Sequence, residues 1–448
     1  MIHLALSILQ LAFLPLGAAP PSLEDSLFAS ESAPPVSSDS VQCVKAAFEP
    51  RAATVPPPAG PGISGQVQTS SNSRFLRSDL PSSFRRWVEL APLQSFETAG
   101  RLDLDAPLPD QSRAHVTMEF DNQAATGTST YSLREAFVDA ALADWFRLRA
   151  GKQVLQWSRC QLWTPSDLVN VERPQLQQRL GAREGVTGLR AHIPLGAQLN
   201  LYGFADLHGV QTPSDIALVG RVEFTIPHTE VGLNLRHQDG KRMVPSADMS
   251  TGYDRWQLAA EAAWLAPGTL TDVRMVGDAA SLQPVDERTP QVSVSLSRPF
   301  DALGQTDRLR LGTEGFWNPK GVEGNAFSPL TSVKFLQPIL IGRDTVREGP
   351  AAALRVFGGG MRPYQIGQWY IMAYASLDKA PIEASSLRIS GIGNLSDGSW
   401  LALAEWTWQS LHGLSTTLSA SVPLGSYPGE FTWTSEAATL RADLGIQF

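Results

Sequence analysis

The sequence predicts an all-β fold: a closed antiparallel transmembrane β-barrel of about 16 to 18 strands. Three observations carry this reading. From Gly62 to the C-terminus, short segments alternate in polarity with a period of two, separated by Gly, Pro, Asp or Asn. One phase of each segment is apolar, often with Trp or Tyr near its ends, while the other carries Arg, Glu, Asp, Gln and small residues. No run is long and apolar enough to cross a bilayer as a helix, which takes about 20 apolar residues.

The chain has 448 residues and a formal net charge of −8. That length ordinarily divides into two or three soluble domains, but one large barrel also reaches it. The acidic excess argues against a nucleic-acid partner, which calls for a basic stripe. The apolar run Leu4–Ala19 is broken by Pro15 and Gly17, so residues 1–19 read as a signal peptide rather than an anchor. Its first three residues, Met1-Ile2-His3, supply no Lys or Arg, and Pro20 follows the Ala18-Ala19 cleavage position. Residues 20–60 are rich in Pro, Ser and Ala and read as a flexible periplasmic lead, or as a docking segment for a periplasmic partner. Residues 61–448 form the expected barrel. Cys43 and Cys160 are too few for a disulfide framework and have no metal-ligand spacing; they either pair or stay free.

Taken in order, His115–Asn122 sets Val116, Met118 and Phe120 against Thr117, Glu119 and Asp121. Ser132–Leu142 sets Ala136, Val138, Ala140 and Leu142 against Glu135 and Asp139, and Trp145–Val154 sets Phe146, Leu148 and Ala150 against Arg147, Arg149 and Gln153. Ile216–Ile226, Arg255–Trp264 and Trp400–Trp408 repeat the pattern. A soluble sandwich alternates too, so the decision rests on what each face carries. An uncharged face with aromatic ends suits lipid, and a charged face suits a water-filled lumen. Trp145, Trp256, Trp264, Trp369, Tyr370, Trp400 and Trp408 are the expected girdle residues. Lipid also removes the need for helices, because a closed sheet satisfies every backbone group internally.

No catalytic constellation emerges: the chain lacks Gly-x-Ser-x-Gly, His-Glu-x-x-His, a phosphate-cradling loop and Cys-x-x-Cys. The reading is therefore no enzyme, no cofactor and no metal. The histidines are scattered, with His115 and His412 expected to be solvated, and Gly358–Gly360 marks a turn or bulge. The most informative stretch is Ser132–Arg190. Glu119, Asp121, Glu135 and Asp139 on two strands would face Arg147, Arg149 and Gln153 on the next, either bracing the wall or setting a field that solutes feel. The connection Ser158–Glu184 then carries Arg159, Asp167, Arg173, Arg179 and Arg183, with a short helix expected over Gln175–Leu180 after Pro174. Loops this long are usually functional, and this one would fold into the pore or lie over its mouth, constriction being favoured. A second long connection, Asn318–Gly349, reads as plug, lid or further strand.

The stretch Leu148–Asn170, LRAGKQVLQWSRCQLWTPSDLVN, resembles a signature of outer-membrane porin-like families, the alginate-export type among them. Gly151, Lys152, Gln153, Trp157, Pro165, Asp167 and Asn170 fill its positions, while Ser158 and Arg159 stand where Gly is common. The resemblance covers about a tenth of the chain and implies a porin-like channel in the cell outer membrane of a Gram-negative organism. The expected function is passive passage or export of small polar or anionic solutes. The alternatives are an accessory barrel serving a periplasmic or inner-membrane partner, and an outer-membrane hydrolase. Expected partners are outer-membrane lipids and the barrel assembly machinery. In Thr439–Phe448, Leu440, Ala442, Leu444, Ile446 and Phe448 share one face. An aromatic last residue looks like the barrel assembly signal, and this strand would close the barrel against Gly62–Phe75.

Overall fold

The computed structural model describes residues 61–76, 94–109, 112–124, 127–155, 157–169, 185–276, 279–324, 365–410, 413–425, 429–432 and 436–448. Its strands are β1 (Gly62–Leu76), β2 (Gln94–Pro107), β3 (Arg113–Gln123), β4 (Thr128–Ala143), β5 (Phe146–Gln153), β6 (Val186–Leu195), β7 (Leu199–Asp206), β8 (Ala217–Ile226), β9 (Thr229–Gln238) and β10 (Val244–Tyr253). They continue as β11 (Trp256–Leu265), β12 (Thr271–Val276), β13 (Ala279–Pro284), β14 (Thr289–Ala302), β15 (Gln305–Trp317), β16 (Trp369–Asp378), β17 (Ser385–Asn394), β18 (Ser399–Gln409), β19 (Leu414–Leu424) and β20 (Glu436–Gln447). Eighteen of these form one sheet in which each strand pairs with its sequence neighbours, and β12 and β13 make a separate two-stranded ribbon between β11 and β14.

The sheet closes on itself. β20 lies antiparallel to β1, with Gln66 opposite Gln447 and Arg74 opposite Thr439. Gly65 and Phe448 exchange both backbone hydrogen bonds at 2.9 Å. Closure leaves the sheet no edge, as a spanning sheet requires: in hydrocarbon each unpaired backbone group costs several kcal/mol.

The connections alternate between the two rims, and the longest all fall at one of them. Residues 108–112, 144–145, 196–198, 227–228, 254–255, 303–304, 379–384 and 410–413 join strands at one rim, where the start of β1 and Phe448 also lie. Residues 77–93, 154–185, 266–288, 318–368 and 425–435 join them at the other, together with the shorter 124–127, 207–216, 239–243 and 395–398. Short turns on one side and long loops on the other are the habit of bacterial transmembrane barrels.

The two faces are inverted relative to a soluble protein. Leu218, Leu233, Leu235, Val294, Leu296, Leu311, Ile389, Leu418, Leu440, Leu444 and Ile446 are all exposed on the outside. Arg149, Arg221, Asn234, Asp248, Glu261, Ser293, Glu314, Arg441 and Asp443 are buried on the inside. Every alternating segment named from the sequence is a strand with its apolar phase outward. Near the turn rim the outer surface carries Trp145, Tyr253 and Trp256, and near the loop rim Tyr131, Trp264, Trp369 and Trp400. Trp408 shares the outward phase of β18 and is half-buried.

Two features depart from the sequence reading. Tyr370, expected in the girdle, is 2% exposed and points into the barrel. Neighbours on a strand face opposite sides, so Trp369 and Tyr370 cannot both face lipid. In β4 the register against β3 shifts at Arg134: Thr117 stands opposite Glu135, yet Met118 stands opposite Leu133. This bulge places Arg134 and Glu135 both on the lumen side and reverses the phase upstream, so that Tyr131 and Leu133 become the lipid-facing residues.

The signal peptide, the lead 20–60, Cys43, Arg173, Arg179, Arg183, the expected helix at 175–180, residues 325–349 of the second long connection, Gly358–Gly360 and His412 lie outside the described residues. The lipid-facing assignment is tested by Leu296→Arg, which puts a charge near the middle of β14. A loss of about 2–4 kcal/mol in reversible unfolding from micelles is expected; an unchanged midpoint would mean that Leu296 does not face hydrocarbon.

Candidate functional site: an inward loop pinned to the barrel wall

The segment that follows β5 runs inside the barrel along its inner wall. Leu155, Trp157 and Val169 pack on Val186, Phe204 and Val219 of β6, β7 and β8. Leu168 packs on Val244, Ala263 and Leu265. Trp163 stacks on Phe316 at 5.6 Å and 9°, lies 5.8 Å from the ring of Tyr370, and shares a cluster with Ile392, Leu401 and Phe431. The local sequence makes the bend: Thr164-Pro165-Ser166-Asp167 is a turn with Pro at its second position, closed by the Asp167 N–H donating to the Thr164 carbonyl at 3.1 Å. The wall beside it is lined by small residues, Ala259 and Ala263 on β11 and Ser293 and Ser295 on β14, while Gly312 on β15 makes room for the ring of Tyr374.

Two buried carboxylates hold the segment by its backbone. The N–H groups of Arg159 and Cys160 donate to Glu261 Oε1 at 2.5 and 2.6 Å, and Ser166 donates to Oε2 through its hydroxyl at 2.6 Å and its N–H at 3.2 Å. Gln161, Leu162 and Trp163 donate their N–H groups to Glu314 at 2.9, 3.0 and 2.7 Å. Five consecutive N–H groups thus converge on two carboxylates, an anion-holding concavity in which the anions belong to the protein. Charge-assisted bonds of this kind are about twice as strong as neutral ones.

A third anchor is ionic. Arg159, its side chain 3% exposed, reaches Glu230 at 2.6 Å, Glu223 at 3.0 Å and Asp248 at 3.2 Å, on β9, β8 and β10. Arg221 completes the knot with Asp248 at 2.5 Å and Glu223 at 3.0 Å, lying across Gly232, where any side chain would strike its guanidinium. Above this wall, residues Gly429–Thr432 of the β19–β20 connection also turn inward. The Tyr370 hydroxyl donates to Glu430 at 2.6 Å and Asn394 donates to the same oxygen at 2.8 Å, which seats Phe431 against Trp163.

The wall on β2–β6 carries the other expected residues. Arg149 grips Asp139 with two bonds at 2.6 and 2.7 Å, and Arg113 adds a third at 3.0 Å. Glu119 meets Arg134 of β4 at 2.9 Å rather than an arginine of β5. Glu135 accepts the Val154 N–H at 2.8 Å, fixing the start of the inward loop. Gln153, fully buried, donates to the Gly188 carbonyl at 3.3 Å. Asp121 lies on the lumen phase of β3, and Asp167 is buried in the loop against the wall. Arg147 is half-buried on the lumen phase beside His192, with no hydrogen-bond partner among the described residues.

His115, expected to be solvated, is drawn into the wall. Its Nδ1 lies 2.8 Å from Asp105 and its Nε2 lies 2.9 Å from the Thr117 hydroxyl. The array has the outline of a hydrolytic triad without its chemistry. Thr117 is 0% exposed and donates its only hydroxyl proton to Asp103 at 2.6 Å, so the oxygen is neither accessible nor activated by the imidazole.

The sequence reading missed Glu261, Glu314, Arg221, Arg134 and Arg113. The first left a signal: Glu261 is the only charged residue on the inward phase of β11, where its neighbours are Gln257, Ala259 and Ala263. A lone acid among small side chains marks a place where something else occupies the space.

Among solved structures the chain is similar to OccK5 (OpdH) of Pseudomonas aeruginosa, at 8% identity over 87% of this chain and 98% of that one, with a TM-score of 0.51. It is also similar to OprD of the same organism, at 7% identity over 87% and 95% with a TM-score of 0.49, and to a triple mutant of the Rhodopseudomonas blastica porin, at 8% over 87% and 100% with a TM-score of 0.44. At such identities the likeness is one of fold. No family model and no curated protein matches the sequence. The likeness to OccK5 agrees with the barrel fold that the resemblance at Leu148–Asn170 implies and does not extend to the alginate-export type.

The pinning is tested through Cys160, which is buried in the loop. Burial and the neighbouring carboxylates of Glu261 and Glu314 push its thiol up. In a Cys43→Ser background, maleimide should label Cys160 slowly. Glu314→Ala, which removes the acceptor of three N–H groups, should raise the rate at least about tenfold, the equivalent of 1.4 kcal/mol. Equal rates in two folded barrels would show that the carboxylate does not hold the loop.

Proposed function

We propose that the chain is a water-filled channel in the outer membrane of a Gram-negative bacterium, passing small polar solutes and favouring anions. The observation that carries this reading is the lumen itself: a wall of paired charges narrowed by a loop that the wall holds by its backbone. A barrel whose interior served only as packing would not need an inward loop fixed at Glu261, Glu314 and the Arg159 knot. In this reading the turn rim faces the periplasm and the loop rim faces outward, which leaves the 20–60 lead on the periplasmic side with any partner it contacts.

Selectivity belongs to charges that solutes can reach. Arg159, Arg149, Glu119 and Asp139 are spent on one another or on their neighbours and act mainly as braces. Arg147 on β5, and Arg310 and Arg388 on β15 and β17, face the lumen without a carboxylate bonded to them among the described residues; Arg388 instead lies 4.7 Å over the ring of Tyr374. In an eighteen-strand barrel these two groups stand on opposite walls, so an anion passing between them meets cationic nitrogens on both sides. An enzymatic reading has less behind it, since the Asp105–His115–Thr117 array lacks a reactive hydroxyl.

Reconstituted in a planar bilayer under a salt gradient, the channel should show anion preference. Arg147→Glu should shift the reversal potential toward cation preference, and adding Arg149→Glu should shift it further by placing another carboxylate beside Asp139, which then keeps only Arg113. A reversal potential unmoved by either change, with the barrel folded, would remove Arg147 from the conduction path; no conductance at all would remove the channel.

A further inference from the structure

The outer surface carries an arginine on the lipid-facing phase of a strand, near the turn rim. Arg298 lies on the outward phase of β14, following Val292, Val294 and Leu296, and stands opposite the exposed Leu311 of β15. Its guanidinium sits 5.0 Å from the ring of Trp256 and 5.2 Å from that of Phe300. Trp256 is one residue from the β10–β11 turn, so the group lies at the depth where aromatic residues mark the bilayer interface. None of its N–H groups has a hydrogen-bond partner among the described residues, and Nε is buried without one. Asp254, on the turn beside it, comes within 3.6 Å, too far for a hydrogen bond.

The surrounding charges are already matched. Arg255 binds Asp301 at 2.7 Å and approaches Asp307 at 3.7 Å, and Arg308 donates to the backbone carbonyls of Asp378 and Lys379. Arg298 and Asp254 are left as a loose, accessible ion pair, neither side chain hydrogen-bonded among the described residues. We propose that this pair is a binding site for the headgroup of a zwitterionic phospholipid in the leaflet at the turn rim. The phosphodiester takes the guanidinium fork of Arg298, and the ammonium, two carbons away in an ethanolamine headgroup, takes the carboxylate of Asp254. Trp256 and Phe300 flank the phosphate site, and Leu296 and Leu311 continue it toward the acyl chains. Arginine suits the role because its fork matches phosphate oxygens in pairs. A glycerol headgroup offers Arg298 the same phosphodiester but brings no ammonium, so the Asp254 carboxylate stays without a cation from the lipid. The site rests on the barrel standing in a bilayer and is independent of what the lumen conducts.

The test is native mass spectrometry of the detergent-solubilised full chain, titrated with phosphatidylethanolamine or phosphatidylglycerol of matched acyl chains. The wild type should retain the ethanolamine lipid preferentially. Arg298→Leu, which suits a lipid-facing position and so should not impair folding, should weaken that retention about tenfold while leaving bilayer conductance unchanged. Asp254→Asn keeps a residue at ease in the turn's left-handed backbone (φ 53°) and should abolish the preference between the two headgroups. Undiminished ethanolamine binding by Arg298→Leu would overturn the site. A wild type that prefers the glycerol lipid, or a preference untouched in Asp254→Asn, would overturn the role of Asp254.

Discussion

The constraint on which the rest depends is that a polypeptide in hydrocarbon cannot leave backbone groups unpaired. Each one left open costs several kcal/mol, against a net stability that rarely exceeds 15 kcal/mol for a folded domain. For a chain made of strands this leaves one solution, a sheet with no edge. The seam between β1 and β20 provides it, and the last residue takes part: Phe448 trades both of its backbone bonds with Gly65 and lays its ring over a position where a side chain would collide. Once the ring is closed, the alternation of each strand must place one set of side chains outside and the other inside, so the inversion of polarity follows from closure.

Closure in turn creates an interior problem. An eighteen-strand ring encloses a lumen too wide for its own side chains to fill, and polar groups lining it are either solvated or paired. The chain uses both options. On the β8–β16 side it sends in the β5–β6 loop, whose backbone is as polar as any other and needs acceptors at each N–H. Glu261 and Glu314 supply them from the wall, and the loop's aromatic residues then cover the carboxylates. A carboxylate removed from water is costly unless several donors compensate it, and here each acquires four. The dependence runs both ways: the loop needs these acids as acceptors, and the acids are tolerable at such depth only because the loop covers them.

This mutual dependence explains which parts of the molecule were legible in the sequence. Period-two alternation is local, and the lipid face admits a restricted set of residues, so β3, β5, β8, β11, β18 and β20 declared their orientation from composition alone. Register is not local. Whether Glu119 meets an arginine of β5 or Arg134 of β4 depends on a one-residue bulge, and Arg134 lies one residue outside the alternation that flags the neighbouring acids. Tyr370 was misplaced because aromatic content was weighed above alternation, although an adjacent Trp369 already occupied the outward phase. Arg159 could be recognised as unusual within its loop, but not as the cation of a knot whose acids come from β8, β9 and β10. Those contacts span 64 to 89 residues of sequence and exist only after the barrel has closed.

The same reasoning separates charges that build the pore from charges that act on what passes through it. A guanidinium bonded to a carboxylate presents solutes with a dipole whose field decays within a few ångströms, whereas one left beside a ring or beside nothing presents a full charge. By that criterion most of the lumen arginines are structural, and their removal would be felt as lost stability before lost selectivity. Arg147, Arg310 and Arg388 differ because, among the described residues, no carboxylate is bonded to them, although Glu405 stands across from Arg388 on β18. Holding three guanidinium groups with no carboxylate bonded to them among the described residues costs electrostatic stability. The physical return for that cost is a cationic passage through an otherwise compensated wall.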